Sequence, residues 1–301
     1  MYREFYGLLQ APFEMTPDPA FLYLGETHRE GLAMLVYAIQ SRKGFVVLTG
    51  EVGTGKTTLL HALLSQMDSD LPSAFVFNPR LDPLDFFRVL FDEFGIEEPC
   101  FTKAEYLLTL NHFLIEQLKQ DRTALLIVDE AQNLAPEMLE EIRLLSNLET
   151  PTSKLLQIIL VGQPELAEML DRDDLRQLRQ RIVLRHDLRP FGAEELGQYI
   201  DERLRLAGYN GKGIFDMSAR KQMLAVSGGI PRLVNVVADA ALLAGYSRGL
   251  KTLDAGVIKE VAEDLRLPAG PTKNAVEVES RSPEPARRSR LGSWLRPGRA
   301  R

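Results

Sequence analysis

Eight residues of the chain, Gly50-Glu51-Val52-Gly53-Thr54-Gly55-Lys56-Thr57, follow the spacing G-x-x-x-x-G-K-[ST]. The glycines let the backbone curl so that successive N–H groups face one anion. A helix starting at Lys56 adds the partial positive charge of its first turn. Such a loop is a phosphate cradle, and ATP with Mg²⁺ is the expected ligand. Gly50 to Thr58 are the expected nucleotide-binding residues, with Lys56 placed to reach the β- and γ-phosphates and the Thr57 hydroxyl to ligate Mg²⁺.

The second reactive group is Asp129-Glu130, 73 residues after Lys56, at the end of the apolar run Ala124-Leu125-Leu126-Ile127-Val128. Phosphoryl transfer needs charge neutralisation and an oriented nucleophile. Asp129 is placed to hold Mg²⁺ through a water, and Glu130 to polarise the attacking water as the catalytic base.

These groups need a sheet edge to meet on, and the rest of the chain supplies one. Phe45–Thr49, Ala74–Phe77, Ala124–Val128 and Leu156–Val161 read as strands, and a fifth begins at Ile182. Unbroken apolar runs of this kind suit strands buried on both faces of a parallel sheet. Helical periodicity covers about 28–41, 56–66, 83–94, 103–119 and 136–148 between them. The alternation predicts an α/β layered core over residues 1–190, with a five-stranded parallel sheet and an irregular lead-in that includes Thr16-Pro17-Asp18-Pro19. After Pro190 only helices are expected, at 193–207, 216–226, 231–246 and 253–266, making a small helical domain over 191–266. Residues 267–301 are poor in apolar side chains and read as a disordered tail.

Composition narrows the function. The 301 residues are 45% hydrophobic and 26% charged, with a net charge of −6. That balance disfavours a basic nucleic-acid coat protein. Residues 281–301 hold seven arginines against one glutamate, a local charge of +6, together with Trp294. This end suits either a solubilising role or contact with an anionic membrane surface or other partners. Cys100 is the only cysteine, which excludes an intramolecular disulfide and multi-cysteine metal sites. His28, His61, His112 and His186 show no ligand spacing and read as surface or packing residues. No apolar run is long enough to span a bilayer and no signal peptide opens the chain, so a cytoplasmic place is expected, with peripheral contact at the inner membrane open.

With the phosphate loop, the acidic pair and the helical segment in this order, the chain resembles the AAA+ ATPases, a family of P-loop NTPases. The resemblance implies ATP hydrolysis by a nucleotide-dependent homo-oligomeric ring. It implies that Gln163, in Val161-Gly162-Gln163-Pro164, senses the γ-phosphate, although Asn, Thr or Ser is more usual there. It places an arginine finger for the neighbouring subunit in Leu175-Arg176-Gln177-Leu178-Arg179-Gln180-Arg181-Ile182, with Arg181 the first choice and Arg179 and Arg185 the others. It makes Arg232, in Gly228-Gly229-Ile230-Pro231-Arg232, a second sensor on a helical lid.

The head of the chain narrows the resemblance. Phe5-Tyr6-Gly7-Leu8, Pro12-Phe13, Phe21-Leu22-Tyr23-Leu24 and His28, with Val128–Leu134 and Gly162–Leu166, are similar to the ExeA/GspA type of general secretion pathway ATPase. They are also similar to a soluble subgroup linked to exosortase and exopolysaccharide export. Secretion-type members usually continue into a transmembrane helix and a cell-wall-binding domain, neither of which is seen here, so the soluble subgroup is the expected one. The resemblance implies assembly or remodelling of membrane-associated export machinery. A DNA-associated ATPase of the transposition-targeting type and a slow nucleotide-gated binding module are the alternatives. The acidic body and the lack of room for a winged-helix domain make nucleic acid the less favoured partner.

Overall fold

A computed structural model of the chain describes residues 1–14, 23–67, 70–77 and 81–267. Residues 268–301, with the arginine-rich end, and Thr16-Pro17-Asp18-Pro19 and Phe21-Leu22 of the head lie outside the described residues.

The strands are β1 (Phe45–Gly50), β2 (Ser73–Val76), β3 (Ala124–Val128), β4 (Leu156–Gly162) and β5 (Leu184–Leu188). They form one sheet in the order β2-β3-β4-β1-β5, and every pairing is parallel. In chain order the helices are α1 (Tyr2–Tyr6), α2 (Glu26–Gln40), α3 (Lys56–Gln66), α4 (Pro83–Phe94), α5 (Lys103–Lys119), α6 (Pro136–Leu145), α7 (Pro164–Leu170), α8 (Arg176–Arg179), α9 (Ala193–Leu206), α10 (Met217–Ser227), α11 (Pro231–Ser247) and α12 (Ala255–Asp264).

Successive side chains of a strand point to opposite faces of its sheet. On β3, Leu126 and Val128 enter one apolar cluster while Leu125 and Ile127 enter another. The first cluster is closed by α4, α5, α6 and α7 through residues such as Phe86, Leu110, Ile142 and Leu166. The second is closed by α2 and α3 through Leu35, Leu59 and Leu63. Because both faces are covered, the central strands are apolar throughout rather than alternating. The resulting three-layer arrangement is the expected α/β core.

Two element ends differ from the sequence reading. The helix expected over 136–148 stops at Leu145, where the Ser146 hydroxyl turns back to the Arg143 carbonyl at 2.6 Å. The fifth strand starts at Leu184 instead of Ile182, because the Ile182 N–H is already bonded to the Arg179 carbonyl in the turn that closes α8.

Helices α9 to α12 enclose a separate apolar cluster, and the head of the chain belongs to it: Tyr6, Leu8 and Phe13 are buried there. The Tyr6 hydroxyl donates to the Leu250 carbonyl at 2.9 Å, and the Arg203 guanidinium donates to the Pro12 carbonyl at 2.6 Å. Residues expected to lead into the sheet domain therefore pack on the helical unit. The chain passes from β5 into that unit at Phe191, whose N–H donates to the Gly229 carbonyl at 2.9 Å.

Gly229 has φ 77°, and a Cβ placed on it would lie 2.1 Å from the Phe191 carbonyl oxygen. Both the left-handed backbone and the close approach demand glycine. Gly229→Ala should lower the unfolding free energy by more than about 1 kcal/mol, the ordinary cost of a left-handed non-glycine residue. Urea unfolding checks this; an unchanged midpoint would show that the junction yields freely.

Candidate nucleotide-binding site

All strands are parallel, so their carboxyl ends share one edge, the edge where open α/β sheets hold ligands. The loop Gly50–Gly55 leaves β1, Asp129-Glu130 leaves β3, and Gln163 leaves β4. The strand order sets β4 between β3 and β1, which places Gln163 between the acidic pair and the loop.

The loop wraps onto the first turn of α3. Gly53 and Gly55 have φ 83° and 100°, and neighbours crowd both. A Cβ on Gly53 would lie 2.6 Å from the Cβ of Arg232, and one on Gly55 would lie 3.1 Å from the His28 ring. The Lys56 ammonium is buried and donates to the carbonyls of Gly50 and Glu51 at 2.7 and 3.1 Å. The Thr54 hydroxyl closes the turn on the Glu51 carbonyl at 2.8 Å. Burial holds the Lys56 pKa below that of an ordinary lysine, against the opposing pull of Glu130 and Asp129. Burial likewise raises the Asp129 pKa, opposed by a hydrogen bond from the Glu130 N–H at 2.8 Å and by Lys56. Two opposite charges are thus held partly out of water without touching, an arrangement that favours a charged ligand between them.

Glu130 has φ 52°, a left-handed backbone that is rare for a side-chain-bearing residue. The sharp turn after β3 sends adjacent carboxylates in different directions. Asp129 Oδ2 accepts from the Thr57 hydroxyl at 3.4 Å, whereas Glu130 Oε2 accepts from the side-chain amides of Gln163 and Gln132 at 3.1 and 2.6 Å. Thr57 and Asp129 fit a Mg²⁺ site: two oxygen donors meet at the foot of a phosphate loop, and this ion takes few protein ligands plus waters and phosphate oxygens. Among the described residues no group of three or more His, Cys, Asp or Glu side chains forms a metal site of its own.

A cavity of about 450 Å³ lies over the loop. Val52 to Thr58, Glu130 and Arg232 line it, and Gly50 and Glu51 lie beneath as acceptors for Lys56. Arg232 comes from the helical unit, and its N–H donates to the Gly53 carbonyl at 3.2 Å. Gln163 reaches this group through Glu130. Arg181 stands apart. It precedes β5 at the amino edge of the sheet and lies near Glu149. Arg179 donates to the Asp171 carbonyl and Arg185 pairs with the Asp171 carboxylate at 3.1 Å. A larger cavity of about 1390 Å³ opens at that amino edge, among Arg42, Asp121, Arg122 and Lys154, with no glycine loop or helix start facing it.

Several lining residues carry no sequence signal: Phe191, Tyr199 and Arg203 reach the cavity only because the helical unit closes on the sheet, and Tyr23 of the head motif reaches it by packing on Phe191 and Tyr199. His28 reads from the sequence as a packing or surface residue. It is buried, and its Nε2–H donates to the Thr54 carbonyl at 2.7 Å, tying α2 to the loop. Its Nδ1 is buried without a partner. Burial lowers the His28 pKa, against the Thr54 hydrogen bond and the Glu195 carboxylate and together with His186. Protonation would place a second, unbonded N–H in the interior.

Residues 39–170 match the family model described as AAA domain. Over 267 residues the chain is 42% identical to the General secretion pathway protein A of Aeromonas hydrophila, covering 88% of this chain and 48% of the relative. The chain therefore spans about half the length of the curated relative it matches. Among solved structures, Drosophila ORC bound to DNA superposes with a TM-score of 0.65 at 15% identity, over 89% of this chain and 66% of that one. Cdc6p from Pyrobaculum aerophilum gives a TM-score of 0.61 at 17% identity, over 83% and 71%. At such identities the likeness concerns the fold, which is that of the AAA P-loop NTPases. Among the described residues no helix is long and apolar enough to cross a membrane.

The depressed His28 pKa has a consequence for stability. An unfolded histidine binds a proton near pH ~6.5, while the folded one resists it. The contribution is present above that pH and is lost as pH falls through the folded value. His28→Gln keeps a donor for Thr54 and does not titrate. Its unfolding free energy should fall less than that of the wild type between about pH 7.5 and about pH 5.5. Equal losses in both proteins would remove His28 as a source of acid sensitivity.

Proposed function

We propose that this relative of general secretion pathway protein A, whose residues 39–170 are an AAA domain, binds ATP with Mg²⁺ and hydrolyses it to ADP and phosphate. The observation that carries the proposal is the convergence of Lys56, Thr57, Glu130 and Arg232 on one cavity above a glycine-turned loop.

Each residue has a task that its position supports. The N–H groups of the loop and of the first turn of α3 bind the phosphates. Lys56 neutralises the β- and γ-phosphates. Thr57 and Asp129 would hold Mg²⁺, which supplies further charge neutralisation on the phosphates. Glu130 orients a water and accepts its proton as the water oxygen bonds to the γ-phosphorus and the bond to ADP breaks. Gln163 and Arg232 read the γ-phosphate. Since Arg232 stands on α11 and ADP has no γ-phosphate, the helical unit gains a partner in the ATP state that it lacks after hydrolysis.

We divide the chain into a nucleotide-binding core over 1–190, a helical lid over 191–266 and a tail over 267–301. The separate apolar cluster of α9 to α12 supports the boundary at 191, while the head of the chain, counted here with the core, packs into that same cluster. Copies of the chain assemble in a nucleotide-dependent ring, and Arg181, remote from its own cavity, serves the neighbour's γ-phosphate. The cycle drives assembly or remodelling of a secretion or exopolysaccharide export complex at the cytoplasmic membrane face. The relative named for general secretion supports that client, together with the head motifs.

Lys56→Ala should abolish phosphate release and nucleotide binding, and chelation of Mg²⁺ should stop the wild-type enzyme. Glu130→Gln should bind ATP normally and turn it over at least about 100-fold more slowly. Full phosphate release by Lys56→Ala would sink the assignment, and wild-type turnover by Glu130→Gln would remove the base. A mixing experiment addresses Arg181. Arg181→Ala and Glu130→Gln subunits, each inactive alone, should recover part of the activity when mixed; no recovery at any ratio argues against action on a neighbour.

A further inference from the structure

Gln132 closes a ring of hydrogen bonds around Glu130 and the end of β4. It sits in a 3-10 turn, Ala131–Asn133, directly after the acidic pair. Its amide nitrogen donates to Glu130 Oε2 at 2.6 Å, and its amide oxygen accepts from the Gln163 backbone N–H at 3.1 Å. The Gln163 side-chain amide donates to the same Oε2 at 3.1 Å. A Cβ on Gly162 would lie 2.6 Å from the Gln132 amide oxygen, so this approach needs the glycine that precedes Gln163.

Both amides take one carboxylate oxygen. The other, Oε1, is left to accept a proton. The two donors differ in what else engages them. In its proposed role the Gln163 amide turns to a γ-phosphate, whereas the Gln132 oxygen accepts from the Gln163 backbone N–H just after β4 and is free of that exchange. From this asymmetry we infer that Gln132 is the positioning residue for Glu130: it holds Oε2 in place while Gln163 changes partners between nucleotide states. A hydrogen bond to a charged acceptor is stronger than one between neutral groups, so a single amide suffices to fix the carboxylate. The inference rests on the proposed role of Glu130 as base.

Gln132→Met separates positioning from a merely structural role. Its side chain fills the space without adding charge but cannot donate to Glu130 Oε2. Steady-state phosphate release should show kcat reduced by roughly 10- to 100-fold, the size expected for one hydrogen bond to a charged group. KM, the dissociation constant for ATP and the melting temperature should stay close to those of the wild type. In a Glu130→Gln background, Gln132→Met should cost nothing further, because the residue it positions no longer acts as a base.

A wild-type kcat in Gln132→Met, with Glu130→Gln impaired, would overturn the inference and leave the proposed function standing. Parallel losses of kcat, ATP affinity and melting temperature would also overturn it, by assigning Gln132 to the fold alone. Absence of hydrolysis by the wild type would overturn the proposed function and this inference with it.

Discussion

An ammonium group taken out of water must be matched by acceptors, and Lys56 bonds two backbone carbonyls, those of Gly50 and Glu51. The carboxylates of Glu130 and Asp129 pull on it most, without contact. Keeping them close without letting them collapse onto the lysine requires rigid supports on both sides. The loop supplies one, through Gly53, Gly55 and the His28 bond to Thr54. The end of β3 supplies the other, where the left-handed turn at Glu130 and the bonds to Thr57, Gln132 and Gln163 hold the carboxylates apart. The separation of charge at this edge is what supports the proposed binding of a polyphosphate and its cation there.

The helical unit joins the same balance from above. Arg232 meets Gly53, and Phe191 meets Gly229, at distances that leave no space for larger residues. The head of the chain packs into that unit through Tyr6, Leu8 and Phe13, and α2 binds the loop through His28. The segment before the sheet therefore touches both bodies that enclose the cavity.

Much of this was legible in the sequence because it depends on local rules. The unbroken apolar run Ala124–Val128 announced a strand buried on both faces, and the helix ranges at 56–66, 83–94 and 103–119 coincide with α3, α4 and α5. The phosphate loop and the acidic pair were visible because their chemistry resides in contiguous residues. Gln132 lay in plain view beside Glu130, but nothing in a run of Ala-Gln-Asn says which way an amide turns. His28 carried no ligand spacing, since its partner is a backbone carbonyl 26 residues away.

By itself the sequence determined the alternation of strands and helices, the loop and the carboxylates, because backbone propensity, apolar periodicity and short motifs act over a few residues. The tertiary structure alone decided the strand order that sets Gln163 between loop and acidic pair. It also decided the docking of the head on the helical unit, and the closing of the cavity by Tyr23, Phe191, Tyr199 and Arg203. The physical reason is that these juxtapositions arise from packing between elements far apart in the chain. Such packing is chosen by the shape and burial of whole faces, and no local pattern of residues encodes it.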